Sequence, residues 1–397
     1  MKSVKYIPLL LAMILTSCNN YDIQPEQAEG FIKFYSSTLT EEAYDVKATS
    51  DGGYVAIGTT VDEPTGFRNL YLVKTDQYGN EELWSPAIIG GEYDDVGTSI
   101  QVESDGYVIL GYSKQTDSTE YDMYLVKTDL QGNVLWEQWA GDASDERGTN
   151  LQLTASGEYL AAGIRYNPLN GNYSYKIKRF NANGETRDGT INLAPGRILL
   201  NAYIIETQGY FMICGTEQVN GKEQIEIIRV NPLSHRSEGA QTFSSAGGLI
   251  GNCIQELGDG NLVFCGSVSS PQTGLSDVYL NKISLDLGII PGWESPRIIA
   301  MQGDLSGLTG KSIRIVNDNS YAIIGTRTVT GNEDILLLHT DAEGTEVSRR
   351  IFGDDGFQQG MSLEITGSDG GLILLGNNGS EDNSMMALVK TDAAGKL

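Results

Sequence analysis

The ten residues YLVKTDQYGN (Tyr71–Asn80) recur almost unchanged as YLVKTDLQGN (Tyr124–Asn133), 53 positions further along the chain. Both copies follow a short apolar motif that ends in glycine, and this motif occurs seven times in the 397 residues. One catalytic site would not be copied seven times, whereas a regular period of this length is typical of a repeated structural unit. The steps between copies are 51 to 59 residues, and the seven glycines are Gly58, Gly111, Gly163, Gly215, Gly266, Gly325 and Gly376.

Each unit reads as four short strands joined by tight turns. In the second unit, GTSIQVES leads through a DG turn into YVILGYS, and DMYLVKTD leads through LQGN into VLWEQWAG. Alternating apolar residues, aromatic and β-branched side chains and these turns indicate antiparallel hairpins. Four strands in roughly 50 residues is typical of a propeller blade. The sequence therefore predicts an all-β fold, a seven-bladed β-propeller of four-stranded antiparallel blades.

The two ends of the chain complement each other. The last unit stops at KTDAAGKL, after its third strand, while GFIKFYSS (30–37) supplies an extra strand before the first unit. We expect this N-terminal strand to complete the last blade and close the ring, because closure removes two free sheet edges that would otherwise pair with other molecules.

The aspartates of the D-x-x-G turns have two interpretations, as turn caps or as calcium ligands. An Asp side chain caps such a turn through its own backbone, and Gly takes the position of positive φ. A calcium loop needs alternating ligands and more chain than these turns contain. The sequence therefore favours structural turns and predicts neither a metal site nor a cofactor; the aspartates are Asp76, Asp129, Asp341 and Asp392.

The N-terminus has the layout of a secretory leader. Two lysines precede an apolar run that ends at Leu15, and this run is too short to span a bilayer. Leu15-Thr16-Ser17-Cys18 resembles the bacterial lipobox, which implies cleavage before Cys18 and a diacylglycerol on its thiol. The alternative is an ordinary or uncleaved leader with an incidental cysteine. We predict a signal peptide over 1–17, a flexible tether over 18–29 and one propeller domain over 30–397.

The charge and the cysteines exclude several classes of function. The formal net charge of −25 repels nucleic acids and anionic lipids, so we expect no nucleic-acid partner and membrane contact through the lipid alone. No cysteine spacing is typical of a zinc site. Cys253 and Cys265 flank a GDGN turn, so a disulfide or two buried free thiols both fit, and the strain of a cross-strand bridge favours free thiols.

The repeat SDGGYVAIGTT…YLVKTDQYGNEELW, together with the lipobox, resembles the β-propeller lipoproteins of Bacteroidota. The resemblance covers about residues 30 to 397, and the third to fifth units depart from it, for example at NPLSHRSEG and DLGIIPG. Relatives of this kind often accompany SusC/SusD-like nutrient transporters. The resemblance implies an accessory lipoprotein of the outer membrane, at the cell surface rather than on the periplasmic face.

Loop lengths predict where a binding face lies. The loops between the second and third strands, and the links between blades, emerge on one face and vary, and variable loops on a rigid scaffold carry function. Three of the links are acidic, and we expect them to gather near the mouth of the ring. They would bind a cation or raise a carboxyl pKa there, but the sequence favours solvated links. The candidate residues are Arg68, Tyr166, Tyr173, Asp94, Asp95, Asp145, Glu146, Asp354 and Asp355.

Catalytic candidates are few. His235 lies in a polar turn, and His339 takes a position that holds Lys in other units, so both are interpreted as structural. Trp84, Trp136 and Trp293 occupy one repeated place and are interpreted as blade packing. We predict a non-catalytic binding or scaffolding subunit of an outer-membrane complex, not an enzyme. The alternatives are a stand-alone glycan- or peptide-binding lipoprotein and a propeller glycosidase or lyase, which would need two suitably spaced carboxylates.

Overall fold

A computed structural model describes residues 30–37, 40–117, 120–187, 191–301, 306–316, 319–367, 369–380 and 383–397. The signal peptide, the tether and Cys18 lie outside the described residues. The described chain forms seven blades of antiparallel strands around a central channel, which confirms the predicted seven-bladed β-propeller. No helix in the described ranges is long and apolar enough to cross a membrane.

The strands are short and follow the period of the sequence. In chain order they are β1 (Phe31–Tyr35), β2 (Glu41–Ala48), β3 (Tyr54–Val61), β4 (Arg68–Thr75), β5 (Ala87–Ile89), β6 (Asp95–Glu103), β7 (Gly106–Ser113), β8 (Asp122–Asp129), β9 (Val134–Trp139), β10 (Asp145–Leu153), β11 (Tyr159–Asn167), β12 (Asn172–Phe180), β13 (Ile191–Thr207), β14 (Tyr210–Val219), β15 (Lys222–Asn231), β16 (Arg236–Phe243), β17 (Leu249–Glu256), β18 (Leu262–Ser269), β19 (Ser276–Ile283), β20 (Arg297–Ile299), β21 (Gly307–Leu308), β22 (Ser312–Ile315), β23 (Tyr321–Val329), β24 (Asn332–Thr340), β25 (Glu346–Phe352), β26 (Gln358–Ile365), β27 (Leu372–Ser380) and β28 (Asn383–Thr391).

Each blade runs outward from the channel in sequence order. Blade 1 is β2 to β5, blade 2 is β6 to β9, blade 5 is β17 to β20 and blade 6 is β21 to β25. Blades 3 and 4 share the 17-residue strand β13. The first part of β13 pairs with β12 as the outer strand of blade 3, and its last part pairs with β14 as the inner strand of blade 4. This shared strand replaces the link found between other blades.

Strand β1 closes the ring as predicted. It pairs antiparallel with β28 from Phe31 opposite Lys390 to Tyr35 opposite Met386, and so becomes the fourth strand of blade 7. The hydroxyl of Tyr35 also donates a hydrogen bond to the carbonyl of Gly79 in blade 1, at 2.7 Å. The first and last blades are therefore joined through the N-terminal strand, and the sheet of the last blade has four strands, as blade 1 has.

The repeated D-x-x-G turns are capped by their own aspartates. The carboxylate of Asp76 accepts hydrogen bonds from the backbone N–H groups of Tyr78 and Asn80, at 2.8 and 2.9 Å. The corresponding aspartates Asp129, Asp341 and Asp392 accept the same pair of bonds. This pattern confirms the structural interpretation of the repeated Asp.

The glycine of the same turn has a second role, because a tryptophan of the preceding blade lies against it. Gly184 has a φ of +80°, and a Cβ there would lie 2.6 Å from Cζ3 of Trp136. Trp84 lies against Gly132 and Trp293 against Gly344 in the same way. The three repeated tryptophans are thus confirmed as blade-packing residues, and each one seals the outer part of a blade interface.

The repeated lysine of the third strand is also structural. Lys74, Lys127 and Lys390 are each 4% exposed. Their ammonium groups pair with carboxylates of the turn between the first two strands of the same blade, at distances of 2.7 to 2.8 Å. These partners are Asp51, Asp105 and Asp369. His339 holds the same strand position in blade 6, where burial and the nearby Arg350 lower its pKa.

The apolar core lies between the blades. Between blades 1 and 2, for example, Ile57 and Leu70 pack with Ile100 and Ile109, and all four are fully buried. Cys253 lies opposite Cys265 in adjacent strands. Both thiols are free and buried, as is that of Cys214, so the free-thiol interpretation is correct.

We predict that Gly184→Ala lowers the free energy of unfolding more than Gly157→Ala does. Both glycines lie in turns of blade 3 with similar φ, +80° and +76°, but no atom lies within 4 Å of a Cβ at Gly157. The left-handed conformation alone costs about 1 kcal/mol, whereas contact with Trp136 raises the loss at Gly184 to about 3 kcal/mol. Denaturant unfolding measures both values. Equal losses would show that φ alone explains the glycine.

Candidate ligand site in the central channel

The innermost strands carry an irregularity at one height of the channel. In blades 1, 2, 3, 5 and 7 one extra residue interrupts the pairing of the first and second strands. Blade 4 has a similar shift at Leu200, and in blade 6 Lys311 lies in the gap between β21 and β22. All seven of these residues line one cavity: Tyr44, Thr98, Thr149, Leu200, Asn252, Lys311 and Met361.

A glycine precedes the extra residue in most blades because the inner strand there lies close against the second strand of the preceding blade. A Cβ at Gly148 would lie 2.5 Å from the carbonyl oxygen of Gly111, and one at Gly360 would lie 2.3 Å from that of Gly325. The sequence carries this signal as VGTSI, RGTNL, IGNCI, TGKSI and QGMSL. The residue after the glycine in these motifs could have been recognised as facing the channel, but sequence reasoning missed it.

The cavity has a volume of about 580 Å³. Besides the seven extra residues, its lining includes the side chains of Asp145, Tyr166 and Tyr173. Asp145 begins β10 directly after a blade link, and the two tyrosines flank the loop between the second and third strands of blade 3. The cavity therefore reaches the loop-bearing face on which the sequence predicted a binding surface, and we call that end of it the mouth.

Tyrosines and one arginine form the mouth. The rings of Tyr166 and Tyr173 lie 4.7 Å apart between centroids. The guanidinium of Arg147 lies over the rings of Tyr121 and Tyr112, at 4.8 and 5.4 Å from their centroids. Arg147 also pairs through two nitrogens with the carboxylate of Asp145, both at 3.0 Å. The mouth is thus a partly exposed aromatic surface whose arginine is already neutralised.

Deeper in the channel, Asp45 holds three blades together. Its carboxylate accepts hydrogen bonds from the hydroxyl of Ser362 in blade 7 and from the backbone N–H of Ile100 in blade 2, at 2.8 and 3.1 Å. Lys47 lies 2.8 Å from it. Burial alone would raise the pKa of Asp45, but the charge and hydrogen bonds of Lys47 and Ile100 outweigh burial and lower that pKa. Asp45 is therefore a permanent structural anion.

Arg314 and Glu364 form a second deep pair. Nη2 of Arg314 lies 3.2 Å from Oε2 of Glu364, and both side chains are largely buried. Burial would raise the pKa of Glu364, but Arg314 and Lys47 lower it below its ordinary value. Opposite charges in this layer therefore compensate one another.

The other predicted site residues lie outside this cavity. Arg68 faces Glu42 at 3.9 Å, and its backbone N–H donates a hydrogen bond to Asp94. Asp94 also accepts the hydroxyl of Tyr121 at 2.9 Å. Asp95 is 5% exposed, and burial raises its pKa.

The remaining acidic candidates do not gather at the mouth. Glu146 is fully buried between Lys176 at 3.1 Å and Arg165 at 3.4 Å, and burial raises its pKa to about 7. Asp354 and Asp355 are exposed in the link before β26. Among the described residues, no three His, Cys, Asp or Glu side chains lie close enough to hold a metal ion. The acidic links therefore form no shared cation site in the described part of the chain.

Comparisons with known proteins identify the fold and no more. The sequence matches no protein-family model and no curated protein. Hydrazine synthase from Kuenenia stuttgartiensis is similar over 90% of this chain and 97% of its own, with a TM-score of 0.57 and 10% identity. The β-propeller domain of the trilobed protease from Pyrococcus furiosus covers 91% of this chain and 96% of its own, with a TM-score of 0.52 and 10% identity.

Puromycin hydrolase is a third similar structure, with a TM-score of 0.54 and 12% identity over 85% of this chain. The chain spans half the length of that protein. These structural neighbours include enzymes, but a propeller scaffold hosts unrelated functions. The likeness therefore supports the fold alone.

We predict that Asp45→Asn lowers the free energy of unfolding at pH 7 by about 3 kcal/mol, because it leaves Lys47 without its closest anion. The folded pKa of Asp45 lies below its unfolded value of about 3.9, so its contribution is present above that pH and is lost as the pH falls through the folded pKa. The difference in free energy of unfolding between wild type and Asp45→Asn should therefore become smaller below about pH 4.

Denaturant titrations at several pH values measure this difference. Asp355→Asn is the matched control, because that carboxylate is exposed, and we expect a change within about 0.5 kcal/mol. If the difference in free energy of unfolding between wild type and Asp45→Asn stays constant down to pH 2, Asp45 is not charged in the folded protein as assigned.

Proposed function

We propose that this protein is a non-catalytic, lipid-anchored β-propeller that binds a small ligand in its central cavity as an accessory subunit of an outer-membrane complex. The observation that carries the proposal is the cavity of about 580 Å³ with tyrosines at its mouth. This volume falls within the range of roughly 300 to 1,000 Å³ that is usual for sites of small organic ligands.

The lining supports ligand binding by its chemistry. Tyrosine supplies a flat apolar ring and a hydroxyl, which suits ligands that have one apolar and one polar surface. Tyr166 and Tyr173 are only partly buried. Thr98, Thr149 and Asn252 also line the cavity. Their donor groups bond to the next blade, so the threonine hydroxyl oxygens remain as hydrogen-bond acceptors. A sugar or a short peptide could pack on the rings while its polar groups reach the deeper layer.

The carboxylates of the cavity favour binding over catalysis. A general acid needs a pKa near the working pH, but the pKa of Asp45 is lowered by its partners. Asp145 is engaged by two nitrogens of Arg147. Glu146, the described carboxyl group with a pKa raised to about 7, is fully buried between two cations and is not among the residues that line the cavity.

The lipid anchor and the outer-membrane partner rest on the sequence. The lipobox at Cys18 supports attachment through a lipid, and the resemblance to Bacteroidota propeller lipoproteins supports a place beside a nutrient transporter. A stand-alone glycan- or peptide-binding lipoprotein would use the same cavity without a stoichiometric companion, so the two alternatives differ in what is isolated with the protein.

We predict that Tyr166→Ala and Tyr173→Ala each weaken ligand binding by about tenfold or more, since truncating an aromatic contact commonly costs that much. A panel of oligosaccharides and short peptides is first screened by thermal shift against the purified lipoprotein in detergent. Affinities of the compounds that bind are then measured by calorimetry.

Tyr78→Ala is the matched control, because Tyr78 is a partly exposed tyrosine in a D-x-x-G turn at the other end of the blades. It should bind as wild type does. If Tyr166→Ala, Tyr173→Ala and Tyr78→Ala all bind the ligand with wild-type affinity, the site lies elsewhere. Turnover of a bound compound would instead favour the enzyme alternative.

We predict that Cys18→Ser moves the protein from the outer-membrane fraction to the soluble fraction and abolishes incorporation of labelled palmitate. Tagged wild-type protein should co-purify from gently solubilised outer membranes with a companion in equal amount. An unchanged distribution of the variant would contradict lipidation, and isolation of the wild type alone would leave the stand-alone alternative.

A further inference from the structure

Among the described residues that line the central cavity, one charged side chain has no partner. Five charged side chains line it: Asp45, Asp145, Arg147, Lys311 and Arg314. Arg147 pairs with Asp145, Asp45 with Lys47, and Arg314 with Glu364. Once these pairs are accounted for, the ammonium of Lys311 is the lining charge that remains, and no hydrogen-bond or ion-pair acceptor contacts it among the described residues.

Lys311 lies at the height where each blade contributes one residue to the channel. It follows Gly310, and its backbone N–H donates to the carbonyl of Ile324 at 2.7 Å. The neighbouring blades contribute Asn252 and Met361, which carry no charge. The amide of Asn252 already donates to the carbonyl of Gly310, at 2.7 Å. The extra residue of blade 6 therefore presents a cation to the cavity between uncharged neighbours.

A second polar atom nearby also lacks a partner. Asn201 donates through its amide nitrogen to the carbonyl of Gly251 and to Oδ1 of Asn252, at 2.7 and 3.0 Å. Its own Oδ1 is buried without a hydrogen bond in the described structure. This oxygen has almost no accessible surface, so it offers no ligand contact, and the inference rests on the unpaired ammonium of Lys311.

An unpaired cation is unexpected in this protein. The chain holds 52 acidic and 27 basic residues, so carboxylates are abundant, yet none of the described carboxylates pairs with Lys311. Its side chain is exposed and lines the cavity, and desolvation by the surrounding protein lowers its pKa. An anion that binds beside the ammonium of Lys311 would stabilise its charged form.

On the basis of the proposed function, we propose that the ligand carries a single carboxylate, which pairs with Lys311 in the central cavity while the uncharged remainder packs against Tyr166 and Tyr173. One cation matches one negative charge. A phosphate dianion would leave a charge uncompensated inside a strongly acidic protein. A uronic acid and the C-terminus of a short peptide both supply this carboxylate on a body that fits a cavity of about 580 Å³.

The experiment compares acidic and neutral members of two matched pairs by calorimetry. The first pair is glucuronyl-β-1,4-glucose and cellobiose, and the second is acetyl-tyrosyl-alanine and its amide. For at least one pair, the acid should bind the wild-type lipoprotein about tenfold to a hundredfold more tightly than the neutral member, as expected for a charge-assisted contact. The pair that shows this preference identifies the source of the carboxylate.

Variants assign the preference to Lys311. Lys311→Met should abolish the difference between acid and neutral member, and Lys311→Arg should retain most of it. Lys396→Met removes an exposed lysine near the C-terminus and should behave as wild type. Thermal midpoints confirm that each variant is folded.

Three results would overturn the inference. One is equal binding of the acid and neutral members by wild type, which leaves the proposed function standing if Tyr166→Ala weakens both. The second is an acid preference that persists in Lys311→Met. If none of the four probes binds, the carboxylate inference also fails, while the wider panel with the tyrosine variants still decides the proposed function.

Discussion

The hydrogen bonds between neighbouring inner strands are the interaction on which the rest of the propeller depends. The hydroxyl of Thr98 donates to the carbonyl of Gly148, that of Thr149 to Ala202, and the amide of Asn252 to Gly310, at 2.6 to 2.9 Å. Each bond runs from one blade to the backbone of the next. In five blades a glycine precedes the extra residue, and a Cβ there would lie within 3 Å of the second strand of the preceding blade. The extra residue after it lines the cavity.

This constraint explains why stability and a candidate site share the same residues. The side chains that join the blades are those that line the cavity, and a substitution there changes both packing and lining. Farther from the channel axis, different residues serve the stability of the fold and the candidate site. The turn aspartates, their glycines and the tryptophans that cover them act only in the architecture, and their repetition along the chain follows from that single role.

The period of the sequence was sufficient to predict the fold. Seven glycine-ended motifs, the paired decamers and the complementary chain ends predicted seven blades and closure by β1, because these features follow local rules of turns and strand pairing. The site was harder to predict. Tyr166 and Tyr173 were recognised from loop position, but the convergence of seven extra residues on one cavity depends on ring closure, which no local pattern records. The acidic links share no common site among the described residues: Asp354 and Asp355 are exposed, and Glu146 pairs with Lys176 from a different strand.

Functional information in such a ring lies where the repeat breaks. A residue that recurs in several blades, such as the turn aspartate of blades 1, 2, 6 and 7, meets the same surroundings each time and serves the scaffold. The seven extra residues of the inner strands meet equivalent surroundings, yet they differ in size, polarity and charge from Tyr44 through Lys311 to Met361. Packing does not require this diversity at one height of one channel. A ligand of lower symmetry than the ring would require it, since each blade would then contact a different part of the ligand. The enzymes with similar folds therefore share only the scaffold. The proposed ligand binding depends on these seven positions, which a comparison of folds does not resolve.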